Sequence, residues 1–207
     1  MNMNPELRSP ITYPARPLNG GPFPKALPKS GDWFYEAKYN GWRALIHIAT
    51  GTMFNRKGQP LTISGEFQTA LDQIRLVLDA EAFKWADCEA LERRHGIGRG
   101  TLIVLDVVPE PQYANTPYIE RRHWLDIPSL PTCYPSNRPG ADTLYKSACI
   151  APGNAAECWT ELRRINARWG CEFYEGLVAK RADSIYPIQL RNPDSEFPFW
   201  LKHRWAW

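Results

Sequence analysis

The chain has 207 residues, 43% of them hydrophobic and 23% charged, and a formal net charge of +3. That length holds one large domain or two small ones with a sizeable core, and the composition is that of a soluble globular protein. The small net charge excludes a polycation, so a nucleic-acid footprint has to come from local clustering of Lys and Arg.

The 19 prolines point to stiffened connections rather than long helices. Cys88, Cys133, Cys149, Cys158 and Cys171 are odd in number and lack CxxC spacing, which suits reduced thiols with no disulfide frame or zinc site. No apolar run approaches the roughly 18 residues of a membrane span. The first residues lack the apolar middle of a signal peptide, so the cytoplasm is the expected location.

Residues 1–30 are rich in Pro and Gly, lack periodicity and read as an extended arm. "WFYEA" (33–37), the Asn40-Gly41 turn, "WRALIHIA" (42–49) and "TMFNR" (52–56) read as a local antiparallel meander. Ser64 can cap a helix over 65–79, with Phe67, Leu71, Ile74 and Leu78 on one face. "FKWADCEAL" (83–91) and "TLIVLDVV" (101–108) are strand candidates around a polar loop, and the second is apolar enough to be buried on both sides. Thr116-Pro117 begins a short helix through about Asp126, and "TLYKSACI" (143–150) is strand-like. Asn154 and Glu157 resemble a capping box for a helix to about Trp169, with Cys158, Leu162, Ile165 and Trp169 on one face. "GLVAKR" (176–181) and "FWLKHR" (199–204) are the last strand candidates. Short strands with a few helices and no βαβ regularity predict an α+β domain on antiparallel sheets.

Four segments carry candidate chemistry. In "FYEAKYNGWRAL", Lys38 lies five residues before Arg43, and the turn between them would bring both to one pocket. A lysine amine becomes a nucleophile when burial or a nearby cation favours its neutral form, whereas an exposed lysine beside a turn needs no function. Glu89 stands in an apolar strand, where an unpaired carboxylate is costly. It reads either as a ligand for a ribose hydroxyl or a metal, or as a solvent-facing residue of an alternating strand. In "YEGLVAKR", Glu175 and Lys180 flank an apolar run and could serve a metal and a phosphate, or be strand-end charges. In "FWLKHRW", Lys202 and Arg204 share a strand face and could neutralise a triphosphate, or simply face solvent.

Taken in order, these segments resemble the motifs of the covalent nucleotidyltransferases: ATP-dependent DNA ligases, RNA ligases and mRNA capping enzymes. "EAKYNGWR" is similar to the first motif, Lys-x-Asp-Gly with a trailing Arg, and "NRKGQPLT" (55–62) to the segment after it. "DCEAL" with "LIVLDVV" resembles the third motif, "EGLVAKRADSIY" the fourth of DNA ligases and "WLKHR" the fifth. The resemblance covers about residues 30–205. It implies a nucleotidyltransferase (ATP-grasp-like) fold, two antiparallel β-sheets flanked by helices with the nucleotide between them, over residues 31–207 and without an OB-fold domain.

It also implies an ATP-dependent DNA ligase. Lys38 would form lysyl-AMP, AMP would pass to a 5′-phosphate, and a 3′-hydroxyl would seal the nick. Arg43, Lys180 and Lys202 would share in catalysis. Glu36, Ala37, Arg56, Glu89, Leu105, Glu175 and Arg204 would complete the nucleotide site, and Glu175 with Glu89 would hold Mg2+ or Mn2+. The implied partner is nicked duplex DNA, with or without RNA, served by a monomer in repair or replication. The alternatives are an RNA ligase, or a nucleotide- or nucleic-acid-binding remnant that does not seal. Two residues depart from the family pattern: Asn40 stands where DNA ligases usually have Asp, and Leu105 where an aromatic commonly stacks on adenine. Without an OB-fold, Arg93, Arg94, Arg99, Arg121, Arg122, Arg163, Arg164 and Arg168 are candidate contacts for weak, salt-sensitive nucleic-acid binding, or ordinary solvated faces.

Overall fold

The computed structural model describes residues 16–23, 25, 31–91, 96–188 and 196–205. In chain order the strands and helices are β1 (Arg16–Asn19), β2 (Trp33–Tyr39), β3 (Trp42–His47), β4 (Thr52–Phe54), α1 (Gln68–Val77), β5 (Trp85–Leu91), β6 (Thr101–Val108), α2 (Tyr118–His123), β7 (Thr132–Cys133), β8 (Leu144–Ser147), α3 (Ala155–Trp169), β9 (Tyr174–Arg181) and β10 (Glu196–Arg204). They form a four-stranded sheet, β1-β10-β9-β2, and a six-stranded sheet, β4-β3-β5-β6-β8-β7. Among the described residues no helix is long and apolar enough to cross a membrane.

Three apolar clusters hold these layers. Leu71 and Ile74 of α1, with Phe67 and Leu78 at its ends, pack on Ala44, Ile46, Leu102 and Val104 of the six-stranded sheet. Leu162 and Ile165 of α3 pack with Tyr35, Ala37, Leu177 and Ala179 of the four-stranded sheet, and Ile103 joins this cluster. The alternation Leu102, Ile103, Val104 therefore buries β6 on both faces, as its continuous apolar run requires. A third cluster, Leu45, Phe54, Trp85, Val108, Tyr186 and Trp200, joins the two sheets. Burying each of these large side chains stabilises the fold by about 1.5–3 kcal/mol before conformational entropy is counted.

Several expectations change. β2 and β3 are not a hairpin: β2 pairs with β9 and β3 with β5, so Asn40-Gly41 carries the chain from one sheet to the other. The sheets are mixed rather than purely antiparallel, because β1 runs parallel to β10, and β8 parallel to β6 and β7. Part of the segment expected to be an arm, Arg16–Asn19, is an edge strand, while residues 1–15 lie outside the described residues. Asn154 makes no side-chain cap to α3. Arg121 and Arg122 are buried and do not form a cationic face. Arg121 grips Asp106 with two hydrogen bonds of 2.9 Å, and Arg122 donates to the Ser147 carbonyl. Arg163, Arg164 and Arg168 are exposed on α3 and Arg99 is half exposed, whereas Arg93 and Arg94 lie outside the described residues.

Candidate active site

A cavity of about 340 Å3 lies between the sheets, within the range of small-molecule sites. Strand alternation decides what faces it. On β2, Glu36 and Lys38 stand in register with Val178 and Gly176 of β9, which pair in turn with Lys202 and Arg204 of β10. These positions share one face, and Glu36, Lys38, Val178, Lys180, Trp200, Lys202 and Arg204 all line the cavity from the four-stranded sheet. The other wall contributes Arg43 of β3, Glu89 of β5, Leu105 of β6 and Arg56, just past β4. Arg16 and Pro17 of β1 close one side.

Lys38 pairs with Glu175, which also accepts from Arg204 at 3.0 Å. On the facing wall Arg43 grips Asp87 with two hydrogen bonds, one of 2.8 Å from Nε, and Tyr186 donates to the same carboxylate at 2.9 Å. Burial opposes the charge on Arg43, but Asp87 outweighs it and holds the guanidinium above its ordinary pKa. Glu89 accepts from the Gly41 N–H at 2.9 Å. Burial pushes its carboxyl up to about 7, against the pull of Lys38 and of that hydrogen bond. Glycine is required at position 41, where a Cβ would lie 2.6 Å from the Ala90 carbonyl oxygen.

No protein-family model matches the chain, and no curated protein does. Solved structures do. A structure described as "Pmar-Lig_Pre." aligns with a TM-score of 0.60 at 18% identity, over 94% of this chain and 47% of its own. The ligase domain of LigD from M. tuberculosis gives 0.52 at 18%, over 98% and 61%. The Chlorella virus DNA ligase-adenylate gives 0.52 at 14%, over 94% and 69%. This is the fold of DNA ligase catalytic domains. The chain spans about half to three-fifths of the first two of these relatives.

On the ligase fold, the residues picked out by motif gather around one cavity. Lys38, Arg43, Arg56, Glu89, Lys202 and Arg204 line it with Glu36, Ala37 and Leu105, and Glu175 stands behind Lys38 as its ion-pair partner. Lys180 also lines the cavity, but its amine is committed. It donates to Glu36 at 3.0 Å and to the Leu105 carbonyl at 3.1 Å, and lies 4.9 Å from the ring centres of both Tyr118 and Trp200. Tyr118 donates to the same Glu36 oxygen at 2.5 Å. Burial pushes the Lys202 amine down, Glu196 at 3.5 Å opposes this, and Arg16 and Arg204 add to it.

Sequence reasoning missed Asp87, Tyr118, Tyr186, Trp200 and Arg16. For Asp87 a signal was present: it lies two residues from Glu89 in an apolar strand and so shares its face. Tyr118 and Tyr186 lie in irregular or short segments where no periodicity marks a face. Asn40 is explained by its own contacts. Its Nδ2 donates to the Glu172 carbonyl at 2.9 Å, which an aspartate cannot do, and its backbone N–H donates to the Phe173 carbonyl at 2.9 Å.

Proposed function

We propose that this chain is an ATP-dependent polynucleotide ligase acting on nicked duplex DNA, working as a cytoplasmic monomer through a lysyl-AMP intermediate on Lys38. One observation carries the reading: Lys38, Arg43, Glu89 and Lys202 converge from two sheets on one cavity in a chain with the ligase fold. The Lys38 amine attacks the α-phosphorus of ATP, the N–P bond forms and the P–O bond to pyrophosphate breaks. Glu175, already hydrogen-bonded to that amine, takes the proton that frees its lone pair, and the second proton leaves to water as the phosphoramidate forms. A 5′-phosphate oxygen then displaces the lysine from AMP, the nitrogen regaining its proton from Glu175 as the N–P bond breaks, and a 3′-hydroxyl, losing its proton to water, displaces AMP to seal the strand. Little covalent help is needed from the other side chains; positioning and charge stabilisation supply the rate.

The placement supports the following roles. Glu89 and Arg43 face Lys38 across the cleft, suited to the ribose and to phosphate oxygens. Lys202 and Arg204 share the phosphate side. Glu36, with Ala37, Leu105 and Val178, forms the end suited to the base, and Lys180 serves that end by fixing Glu36. Mg2+ or Mn2+ fits the donors present: Glu89 and Glu175 are hard oxygen ligands, and the charge of Glu175 helps to raise the Glu89 pKa after burial. A cation of this kind is held by one or two carboxylates plus substrate phosphates. When bound, the metal would neutralise charge on the phosphates.

The test is incubation with ATP labelled at the α-phosphate and Mg2+, followed by denaturation. An acid-labile, alkali-stable adduct is expected with ATP and not GTP, and Lys38→Ala abolishes it. An adduct of undiminished yield in that variant rules out the assignment. Nicked duplexes with DNA or RNA on the 3′-hydroxyl strand then test the preference for DNA.

A further inference from the structure

We propose that Arg16, on the edge strand β1, is a nucleotide-binding residue that holds the terminal phosphates of the triphosphate, a role that rests on the ligase reading above. Arg16 lines the same cavity as Lys38. In the sheet order β1-β10-β9-β2 the two occupy opposite edges, with Lys202 and Arg204 of β10 between them. Neighbouring strands lie ~4.8 Å apart, so the two edges are about 14 Å apart across the sheet, and the register, which sets Arg16 opposite Glu196 and Lys38 level with Arg204, displaces them along the strands as well. Both side chains line the one cavity, so phosphates extending from Lys38 past Lys202 lead toward Arg16. A triphosphate joined to Lys38 through its α-phosphorus must place its β- and γ-oxygens away from the lysine, and most of its charge lies there.

The strand carrying Arg16 is built into the fold. The Gly20 N–H donates to the Lys202 carbonyl at 3.0 Å. A Cβ on Gly20 would lie 2.5 Å from the His203 ring, so the backbone presses directly on that side chain. The His203 ring is fully buried and contacts the Gly21 carbonyl through Nδ1 at 3.1 Å. Phe23 stacks on Trp159 with ring centres 4.7 Å apart. These contacts fix β1 beside Lys202. Arg16 and Arg204 bear on the Lys202 amine as like charges, which Glu196, in register with Arg16 and 3.5 Å from that amine, offsets in part. Crowded cations of this kind are relieved by a bound polyanion. A position inside the cleft favours the nucleotide over the nucleic-acid backbone as the anion.

Calorimetry on the full chain tests this, comparing α,β-methylene-ATP with AMP, each with Mg2+, for wild type, Arg16→Ala and Arg16→Lys. Arg16→Ala is expected to weaken the triphosphate analogue about tenfold and leave AMP within twofold, with Arg16→Lys recovering part of the loss. The adduct forms more slowly from ATP, and joining of a pre-adenylated nick is slowed less than adduct formation. Equal weakening of AMP and the analogue makes Arg16 a structural residue and overturns the proposal. So does an unchanged analogue affinity with weaker binding of nicked DNA. A wild type that binds the analogue with this Arg16 dependence but forms no adduct refutes the ligase reading and leaves the assignment of Arg16 standing.

Discussion

Replacing Glu89 by Gln removes an ionisable proton but keeps the side-chain carbonyl that accepts from the Gly41 N–H. In the folded chain the carboxyl titrates at about 7, against an ordinary value of 4.5, chiefly because it is buried. A raised acid favours folding while protonated: its contribution is complete below the unfolded value and is lost as pH climbs through about 7. At ~1.36 kcal/mol per unit, the rise corresponds to about 3 kcal/mol, and about 2–3 once the partial opening of Glu89 to the cavity is allowed for. Wild type and Glu89→Gln should therefore unfold alike near pH 4.5. By pH 8 the Gln variant should be more stable by about 2–3 kcal/mol, or ~5–10 °C in a chain of this length. Urea titrations from pH 4.5 to 8.5 measure the difference curve. A difference that does not vary with pH refutes the argument, because it would mean that Glu89 titrates as an ordinary carboxyl. The same variant should form the lysine adduct roughly 10–100-fold more slowly, since a charged acceptor has been lost. Stability gained at a cost in activity is the expected signature of a functional site.

Asn40→Asp restores the residue usual in DNA ligases, yet it is expected to lower stability by about 1 kcal/mol. A carboxylate would face the Glu172 carbonyl that Asn40 now serves as donor, and the contact is solvent-exposed, which limits the cost. Thermal unfolding checks this, and a rise in melting temperature would contradict it. Tyr118→Phe leaves Glu36 with one donor fewer in a buried site and should cost about 1.5–3 kcal/mol in urea unfolding. It should also raise the KM for ATP more than it lowers kcat, because Glu36 is proposed to meet the base.

Much of this molecule can be read from its sequence where one physical signal dominates. The bounds of β6 coincide with the apolar run 101–108, because a strand covered on both faces has no polar positions to blur them. The faces of α1 and α3 follow from helical spacing. Partner choice was harder. Asn-Gly is strong hairpin chemistry, but here Gly41 is pressed against the Ala90 carbonyl and the chain leaves one sheet for another. Lys180 reads as a phosphate ligand flanking an apolar run, but no spacing reveals that Glu36, 144 residues away, claims its amine. Arg121 looked like a surface cation because its buried acid, Asp106, belongs to a different element.

The passage of the chain through Asn40-Gly41 gives the cleft a spine. Lys38 on one page and Arg43 on the other are five residues apart, so at most ~17 Å of extended backbone can ever separate their Cα atoms. Gly41 is clasped to β5 through Glu89 and Ala90, and Asn40 is tied to the turn before β9. However the sheets shift, the distance between Lys38 and the opposing Arg43 stays bounded. The spacing of these two side chains is thus limited by the covalent chain as well as by packing.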